Sequence, residues 1–413
     1  MNRIAFAIVV AFALLALSTA LPPSDEMLRE AEKSLFTPDE ISIGLQRSWQ
    51  SRLLMWGSQA THLVLLLVLV FTPLGRRLVD RLEQWTGRRW LLTVLLAGLA
   101  FFLADAITSF PWQLARWQWN LSWDLSNQTL LPWLRDYAVG QGILAVVEGV
   151  LLVGWFALIR WLPRAWWLIG AAMATMFGVV SAFLLPLVIA PLFNTFTPLR
   201  DTEWAKLEPR IRKLLNEAKV PINDIFVVDA SKQSNHSNAY FTGFGSSRRI
   251  VLYDTLLKDH PADEIESILA HELGHWLHDH IAKGLLLGGI ASAVGLYLLR
   301  RILLLSLHRG PLDLMAQHDP ASLFLFMMLV WIGSWIAMPI QNAVSRHFER
   351  QADWSSLELA HDADAFIRAE RRLAVRNKGN LTPSRWNVWL FASHPPAIER
   401  IRMAQMWQGN RRM

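Results

Sequence analysis

The residues with the clearest chemical potential are two histidines and a glutamate in the run HELGH. His271 and His275 are four residues apart, so on a helix both imidazole rings project from the same face. Two imidazoles in this arrangement can bind one divalent metal ion, and Glu272 lies beside them as a general base. Zinc in such a site takes a third protein ligand and lowers the pKa of a bound water toward neutrality. HELGH therefore predicts a metal site for hydrolysis.

A pair of acidic side chains lies downstream, in the run SRHFERQAD. Glu349 and Asp353 are also four residues apart, on a predicted helix. One carboxylate can supply the third zinc ligand while the other orients a ligand or handles a proton. Without HELGH the same pair would indicate an ordinary solvated helix face. With HELGH present, we predict that one of the two completes the zinc site.

The composition of the chain indicates a membrane protein. Of its 413 residues 53% are hydrophobic, with 21 Trp and 20 Phe, and the apolar residues gather in long blocks. Cysteine is absent, which excludes a disulfide framework, thiolate metal ligands and a cysteine nucleophile. The net charge of +6 does not indicate nucleic-acid binding, because much of the arginine excess lies in short loops beside apolar blocks.

Seven blocks have about the 20 apolar residues that a helix needs to cross a bilayer. They cover about residues 4–21, 54–74, 90–110, 139–161, 166–193, 284–305 and 321–340. The fifth contains Pro186 and Pro191, which predict a kink or a helix end. The first also fits a secretory signal peptide, because Arg3 precedes an apolar core that ends in small residues. A retained first helix gives seven spans, and a cleaved one leaves six.

The polar sequence between the fifth and sixth spans predicts the first half of a soluble domain. Residues 203–218 fit an amphipathic helix, and residues 225–228 and 249–253 fit strands. Pro261 suits the first turn of the helix that carries HELGH. The second half follows the seventh span, where residues 342–359 continue as a helix and the tail is helical with a Pro-rich break.

We therefore predict five segments along the chain. They are an N-terminal membrane helix or signal peptide (1–21), membrane helices with loops (22–193), the first half of the catalytic domain with HELGH (194–283), two membrane helices (284–340) and the second half (341–413).

Four motifs give the chain a resemblance to the type I CaaX prenyl endopeptidases, which are integral-membrane zinc metalloproteases. They are NHSNAYFTGFGSSRRIVLYDTLL from Asn235, HELGHW from His271, the segment from Pro339 through SRHFERQAD, and SHPPAIERI from Ser393. The order of spans agrees as well, so the resemblance covers nearly the whole chain. It implies a mainly α fold, in which a polytopic membrane helix bundle of about seven spans carries a gluzincin-like zinc peptidase domain with a small β-sheet.

The resemblance also implies roles for the residues already singled out. One zinc ion would be held by His271, His275 and Glu349. Glu272 would be the general base, and Asp353 a helper acid.

Three further residues match family positions that contact the substrate. His394 and Arg400 match groups that steady the oxyanion and the substrate backbone, where a donor in a dry site contributes several kcal/mol. Asn238 matches a position at an edge strand that can hold an extended peptide. Taken alone, a histidine before a proline is more often structural, and SNAYFTGFG is a strand followed by a Gly-rich turn.

Two pairs of polar residues leave alternatives open. Asp105 and Glu148 lie inside apolar blocks, and they either face the water-filled chamber that the resemblance implies or reach the membrane interface from a span end. His278 and His280, just beyond HELGH, are either surface groups or contacts of the zinc ligands.

Arginines in short loops predict the orientation in the membrane. They lie in residues 76–89, 160–164 and 300–309, which all follow even-numbered spans and should face the cytoplasm. The catalytic segment then lies on the other side, the periplasmic face of a bacterial inner membrane. This differs from the eukaryotic members of the family, whose zinc site is thought to face the cytoplasm.

Together these features predict a membrane zinc metalloendopeptidase that cleaves a peptide or protein substrate, lipidated or not. Its partners are membrane lipids and not nucleic acid. The alternative is a quality-control protease, or a chaperone or clearance factor whose chamber holds clients without hydrolysis. The complete set of ligands and base argues against a chaperone. A transporter would show paired half-repeats, and the sequence has none.

Overall fold

The structure is a computed structural model that describes residues 2–19, 26, 28, 29, 31, 36–222, 224–242 and 249–411. Six of the described helices are long and apolar enough to cross a membrane. They are α2 (Pro38–Phe71), α4 (Trp90–Ser122), α5 (Leu130–Trp161), α6 (Trp166–Leu184, with two further turns to Leu192), α10 (His280–Leu305) and α11 (Ser322–Ala360). Each covers one of the predicted spans over most of that span's length, with differences of one to three residues where a predicted span extends past the helix.

The first and fifth predicted spans differ from the others. The first forms α1 (Asn2–Ser18), a helix of 17 residues, and the last two residues of the predicted block lie outside the described chain. The ring of Phe12 on α1 packs 5.1 Å from that of Trp56 on α2. In the fifth, the α-helix ends at Leu184 and continues as a π turn and a 3-10 turn, as the two prolines there predict.

The three arginine-rich connections lie at one end of the membrane bundle. The short helix α3 (Pro73–Trp85) joins α2 to α4, and its Arg76 pairs with Asp319 at 2.9 Å. Trp166, at the start of α6, donates a hydrogen bond to Gln317 in the connection before α11. From this end α11 runs for 39 residues, about 58 Å, so its last three turns lie at the opposite end of the bundle.

Asp105 and Glu148 face the protein interior. Both line a cavity of about 510 Å³ among α2, α4, α5 and α11. Asp105 Oδ1 lies 2.6 Å from His62 Nδ1 on α2. Of the two alternatives for these acids, the structure therefore supports a chamber between the spans.

A four-stranded sheet lies between the fifth and sixth spans. It consists of β1 (Phe196–Pro198), β2 (Asp224–Val228), β3 (Ala239–Thr242) and β4 (Arg249–Tyr253), in the order β1-β2-β4-β3. β2 and β4 are parallel and the other two pairs are antiparallel. Both predicted strands are confirmed, and β3 lies at an edge. The Gly-rich turn predicted after β3 lies outside the described residues.

Two helices pack on this sheet, and one differs from its predicted bounds. The amphipathic helix α7 (Glu208–Glu217) begins five residues later than predicted, because Pro209 belongs in a first helical turn and a short 3-10 turn precedes it. The helix α9 (Ala262–Leu277) carries HELGH and follows the short helix α8 (Asp254–Asp259). Pro261 is the extended residue that directly precedes this helix, one position before the first turn in which it was predicted.

The remaining helices cover the catalytic end of α11. They are α12 (Ala363–Arg376), α13 (Arg385–Phe391) and α14 (Ala397–Arg411), and residues 392–396 form the predicted break before α14. The predicted helix over residues 342–359 is confirmed as the last part of α11.

The helices α9 and α11 are in contact at Gly274, inside HELGH. A Cβ atom at this position would lie 2.7 Å from the Cα and 2.9 Å from the carbonyl oxygen of Ala352. Both atoms belong to the backbone of α11, so they cannot move aside like the tip of a side chain. Only glycine allows the two helices to pack this closely.

Replacing Gly274 with alanine should separate α9 from α11 and destabilise the fold by about 1–3 kcal/mol. The purified variant should melt at a lower temperature and retain less zinc than the natural protein. Gly295→Ala on α10 is the matched control, because its Cβ would meet no atom within 4 Å. Equal melting temperatures and equal zinc contents for the two variants would show that the contact at Gly274 is not needed.

Candidate active site

Three side chains from two helices converge on one point. The Nε2 atoms of His271 and His275, on α9, lie 3.2 Å apart. Glu349, on α11, places its Oε2 3.3 Å from His271 Nε2 and its Oε1 3.5 Å from His275 Nε2. In a tetrahedral site with metal–ligand bonds of about 2 Å, ligand atoms are about 3.3 Å apart. The spacing fits three ligands of one zinc ion.

The carboxylate of Glu349 supports the fit. It is buried, and its Oε2 atom has no hydrogen-bond partner among the described residues. A buried carboxylate oxygen without a partner is unfavourable unless a cation or donor satisfies it. Among the described residues, His271, His275 and Glu349 are the group of side chains whose ligand atoms lie close enough together to hold a metal ion.

Asp353 sets the orientation of the first histidine ring. Its Oδ1 lies 2.7 Å from His271 Nδ1, so this nitrogen carries a proton and Nε2 is the nitrogen that can bind a metal ion in exchange for its own proton. Burial disfavours positive charge on His271, but the hydrogen bond to Asp353 and the nearby Glu349 carboxylate raise its pKa to about 10. The two carboxylates that stabilise a proton on this ring also attract a divalent cation in its place.

Arg400 joins Asp353 to a second buried acid. From α14, its Nε donates to Asp353 Oδ2 at 2.8 Å and its Nη1 lies 2.6 Å from Glu370 Oε2 on α12. A further guanidinium nitrogen also donates to Asp353. The sequence analysis missed Glu370 because no recognisable motif surrounds it. Its place in the site is visible only from this contact, which joins residues of three helices.

His394 lies beside the metal ligands on the solvent side. Its Nε2 is 3.4 Å from Glu349 Oε1, and its Nδ1 hydrogen-bonds with the hydroxyl of Ser393 at 2.9 Å. The side chain is 61% exposed, whereas that of Arg400 is 12% exposed. Both residues line the cavity beside His271, but His394 is largely exposed whereas Arg400 is mostly buried in its ion pairs.

The second histidine ring has its own contact. His275 Nδ1 lies 2.9 Å from His280 Nδ1, and His280 Nε2 lies 3.0 Å from Gln351 Oε1. Burial, and then the charge of His271, lower the pKa of His275 to about 4, so the ring is neutral and can bind a metal through Nε2. Of the two histidines beyond HELGH, His280 touches a ligand, and His278 contacts Ser355 on α11.

Glu272 lines two cavities beside the histidines of HELGH. One has a volume of about 620 Å³ and the other a volume of about 340 Å³. Burial raises its pKa to about 7, which suits a group that takes up and releases a proton near neutral pH. Its position and pKa fit the role of a general base.

The larger cavity also reaches the edge of the sheet. It is lined by His271, Glu272 and His394 and by Asn238, which directly precedes the edge strand β3. The Asn238 side chain accepts a hydrogen bond from the backbone N–H of Ala239, while its carbonyl accepts one from Tyr253 on β4. A strand edge beside the metal site offers main-chain groups to an extended peptide.

Two family models match the chain. Residues 201–408 match the model described as peptidase family M48, and this range includes every residue of the site. Residues 47–195 match the model described as CAAX prenyl protease N-terminal, five membrane helices.

Known proteins match over most of the chain. An uncharacterized metalloprotease of Bacillus subtilis (strain 168), YhfN, is 29% identical over 94% of this chain and 90% of its own length. A CAAX prenyl protease 1 homolog of Arabidopsis thaliana is 33% identical over 67% of this chain and 65% of its own length. The crystal structure of S. mikatae Ste24p matches with a TM-score of 0.76 at 23% identity, covering 95% of this chain and 96% of that one. At this identity, the likeness shows a shared fold.

Proposed function

Because the chain belongs to peptidase family M48 and is a membrane metalloprotease of the CaaX prenyl protease type, we propose that it is a zinc endopeptidase. This membership confirms the resemblance seen in four sequence motifs. The observation that carries the proposal is the set of ligand atoms of His271, His275 and Glu349, which lie 3.2 to 3.5 Å apart, with Glu272 lining the adjoining cavity.

We assign one zinc ion per chain to these three side chains. When bound, zinc supplies a Lewis acid that polarises the scissile carbonyl and lowers the pKa of water. Glu272 takes the proton of the attacking water and returns it to the leaving amine. Asp353 keeps the Nε2 atom of His271 directed at the metal by holding the proton on Nδ1.

His394 and Arg400 have different roles in this proposal. His394, exposed and close to Glu349, is placed to donate to the oxygen that becomes negative during attack. The resemblance gave Arg400 a role at the substrate, but its guanidinium pairs with Asp353 and Glu370. We therefore propose that Arg400 positions Asp353, and through it His271.

The substrate is proposed to lie extended along β3. The strand edge beside Asn238 can hydrogen-bond the peptide main chain, which would present the scissile carbonyl to Glu272 and the metal. Relatives are named CAAX prenyl proteases, and on that ground we propose that lipidated C-terminal peptides are among the substrates, beside other proteins at the membrane.

The catalytic domain is proposed to face the periplasm of a bacterial inner membrane. The arginine-rich connections meet at one end of the bundle, and the zinc-site part of α11 lies toward the other end. By the positive-inside rule, the arginine-rich end faces the cytoplasm.

Replacing Glu272 with glutamine should abolish peptide hydrolysis, because the amide cannot accept the proton of water. The purified full-length variant should still bind one zinc ion, since the three ligands remain, and kcat should fall by at least about 100-fold. The matched control is Glu266→Gln on the same helix, where the side chain pairs with Arg210. If the Glu272 variant hydrolysed the peptide at the natural rate, the mechanism would be refuted, because Glu272 would then not be the general base.

A reporter fused after Met413 tests the orientation. An alkaline phosphatase fused there should be active in a bacterial host, and a fluorescent protein that matures only in the cytoplasm should stay dark. A bright fluorescent fusion with an inactive phosphatase fusion would place the zinc site on the cytoplasmic face.

A further inference from the structure

Two arginines of α2 face the same cavity as the metal site. Arg47 and Arg52 line the cavity of about 620 Å³ together with His271, Glu272 and His394. Ser48, Ser51 and Met55, on the same face of α2, line it too. The cavity thus extends from the metal ligands to a positively charged wall on a membrane helix.

Neither guanidinium is neutralised by a carboxylate among the described residues. The Nε atoms of Arg47 and Arg52 are buried and have no hydrogen-bond partner in the described part of the chain. Neither side chain forms an ion pair with a described carboxylate, whereas Arg400 in the same cavity pairs with both Asp353 and Glu370. A buried guanidinium N–H without an acceptor is costly, so a ligand that supplies acceptors would bind favourably.

The two side chains are held in place by packing. The guanidinium of Arg47 stacks 5.1 Å from the ring of Trp119 and donates to the carbonyl of Lys378 at 3.3 Å. Arg52 lies 5.9 Å from the ring of Trp49. A Cβ on Gly44 would lie 2.2 Å from the carbonyl oxygen of Gly379, so the start of α2 is fixed against the loop after α12. Such preorganisation lowers the entropy that is lost when a ligand binds.

The positive charge of the cavity wall at α2 favours an anionic ligand. Among the described residues that line the cavity, the carboxylates are Glu272, which we assign to the base, and Glu370, which already pairs with Arg400. The positive charge of Arg116, on α4, also acts on Arg47. An anion with two acceptor oxygens matches two guanidinium forks, and a carboxylate has that geometry.

We propose that Arg47 and Arg52 bind the free C-terminal carboxylate of the peptide substrate. This inference rests on the proposed peptidase function. The same cavity then holds the scissile bond at the metal ligands and the end of the chain at α2. Cleavage would be restricted to peptide bonds near a free C-terminus, which an internal segment of a folded protein could not imitate.

The test compares one peptide in two forms, with a free C-terminal carboxylate and with a C-terminal amide. Full-length zinc-loaded protein should cleave the acid with a kcat/KM about 10- to 100-fold higher than the amide, the range for a charge-assisted hydrogen-bonded contact. Arg47→Gln combined with Arg52→Gln should lower the value for the acid far more than that for the amide, so that the ratio of acid to amide falls to about one. Arg81→Gln, an exposed arginine on α3, is the control and should change neither.

Equal cleavage of acid and amide by the natural protein would overturn the proposal without affecting the zinc mechanism. An equal loss for both peptides in the double variant would also overturn it, because the arginines would then act on the site as a whole. Melting temperatures show whether the double variant is folded, and the comparison of acid with amide on the natural protein needs no variant.

Binding separates this proposal from the proposed function. The Glu272→Gln protein should bind the acid about 10- to 100-fold more tightly than the amide, and the ratio should fall to about one when both arginines are also replaced. This result stands even if hydrolysis follows another mechanism.

A lipid phosphate is the other source of a suitable anion. If the arginines are needed to bind phosphatidylglycerol vesicles while acid and amide peptides bind equally, the ligand is a lipid and the proposal is wrong.

Discussion

The site depends on the close contact between α9 and α11. His271 and His275 lie before the sixth predicted span and Glu349 after the seventh, so the three proposed metal ligands are brought together only if these helices pack against each other. Gly274 allows this contact, since its missing Cβ leaves room for the backbone of α11 at Ala352. One glycine inside the motif therefore has a structural role as necessary as the ligands themselves.

A buried network of charges then fixes the orientation of the ligands. Asp353 holds His271, Arg400 holds Asp353, and Glu370 provides a second carboxylate for Arg400. These residues come from α9, α11, α12 and α14, so the network connects both halves of the catalytic domain. Burying such groups costs desolvation energy that their attraction only partly offsets. Their benefit lies in fixing the direction of one imidazole ring, because a metal site tolerates little error in ligand position.

Much of the architecture could be predicted from the sequence, because long apolar blocks and helical spacing are local signals. Six membrane helices, β2 and β4, and the helix carrying HELGH agree with their patterns. The partner of Arg400 could not be predicted, since Glu370 meets it only through tertiary packing and has no motif. The sequence also could not show that Arg47 and Arg52 lack a carboxylate partner among the described residues, because this depends on which side chains the tertiary structure places around them. The start of α7 was predicted too early because periodicity alone does not distinguish a 3-10 turn from an α-helix.

The central claim is that one zinc ion is held by two histidines of α9 and one glutamate of α11. Anomalous diffraction from crystals of the zinc-loaded protein, measured on both sides of the zinc absorption edge, tests it directly. The account predicts a single peak about 2 Å from the Nε2 atoms of His271 and His275 and from the carboxylate of Glu349. A peak bound by other side chains, or one that Glu349 does not contact, would contradict it.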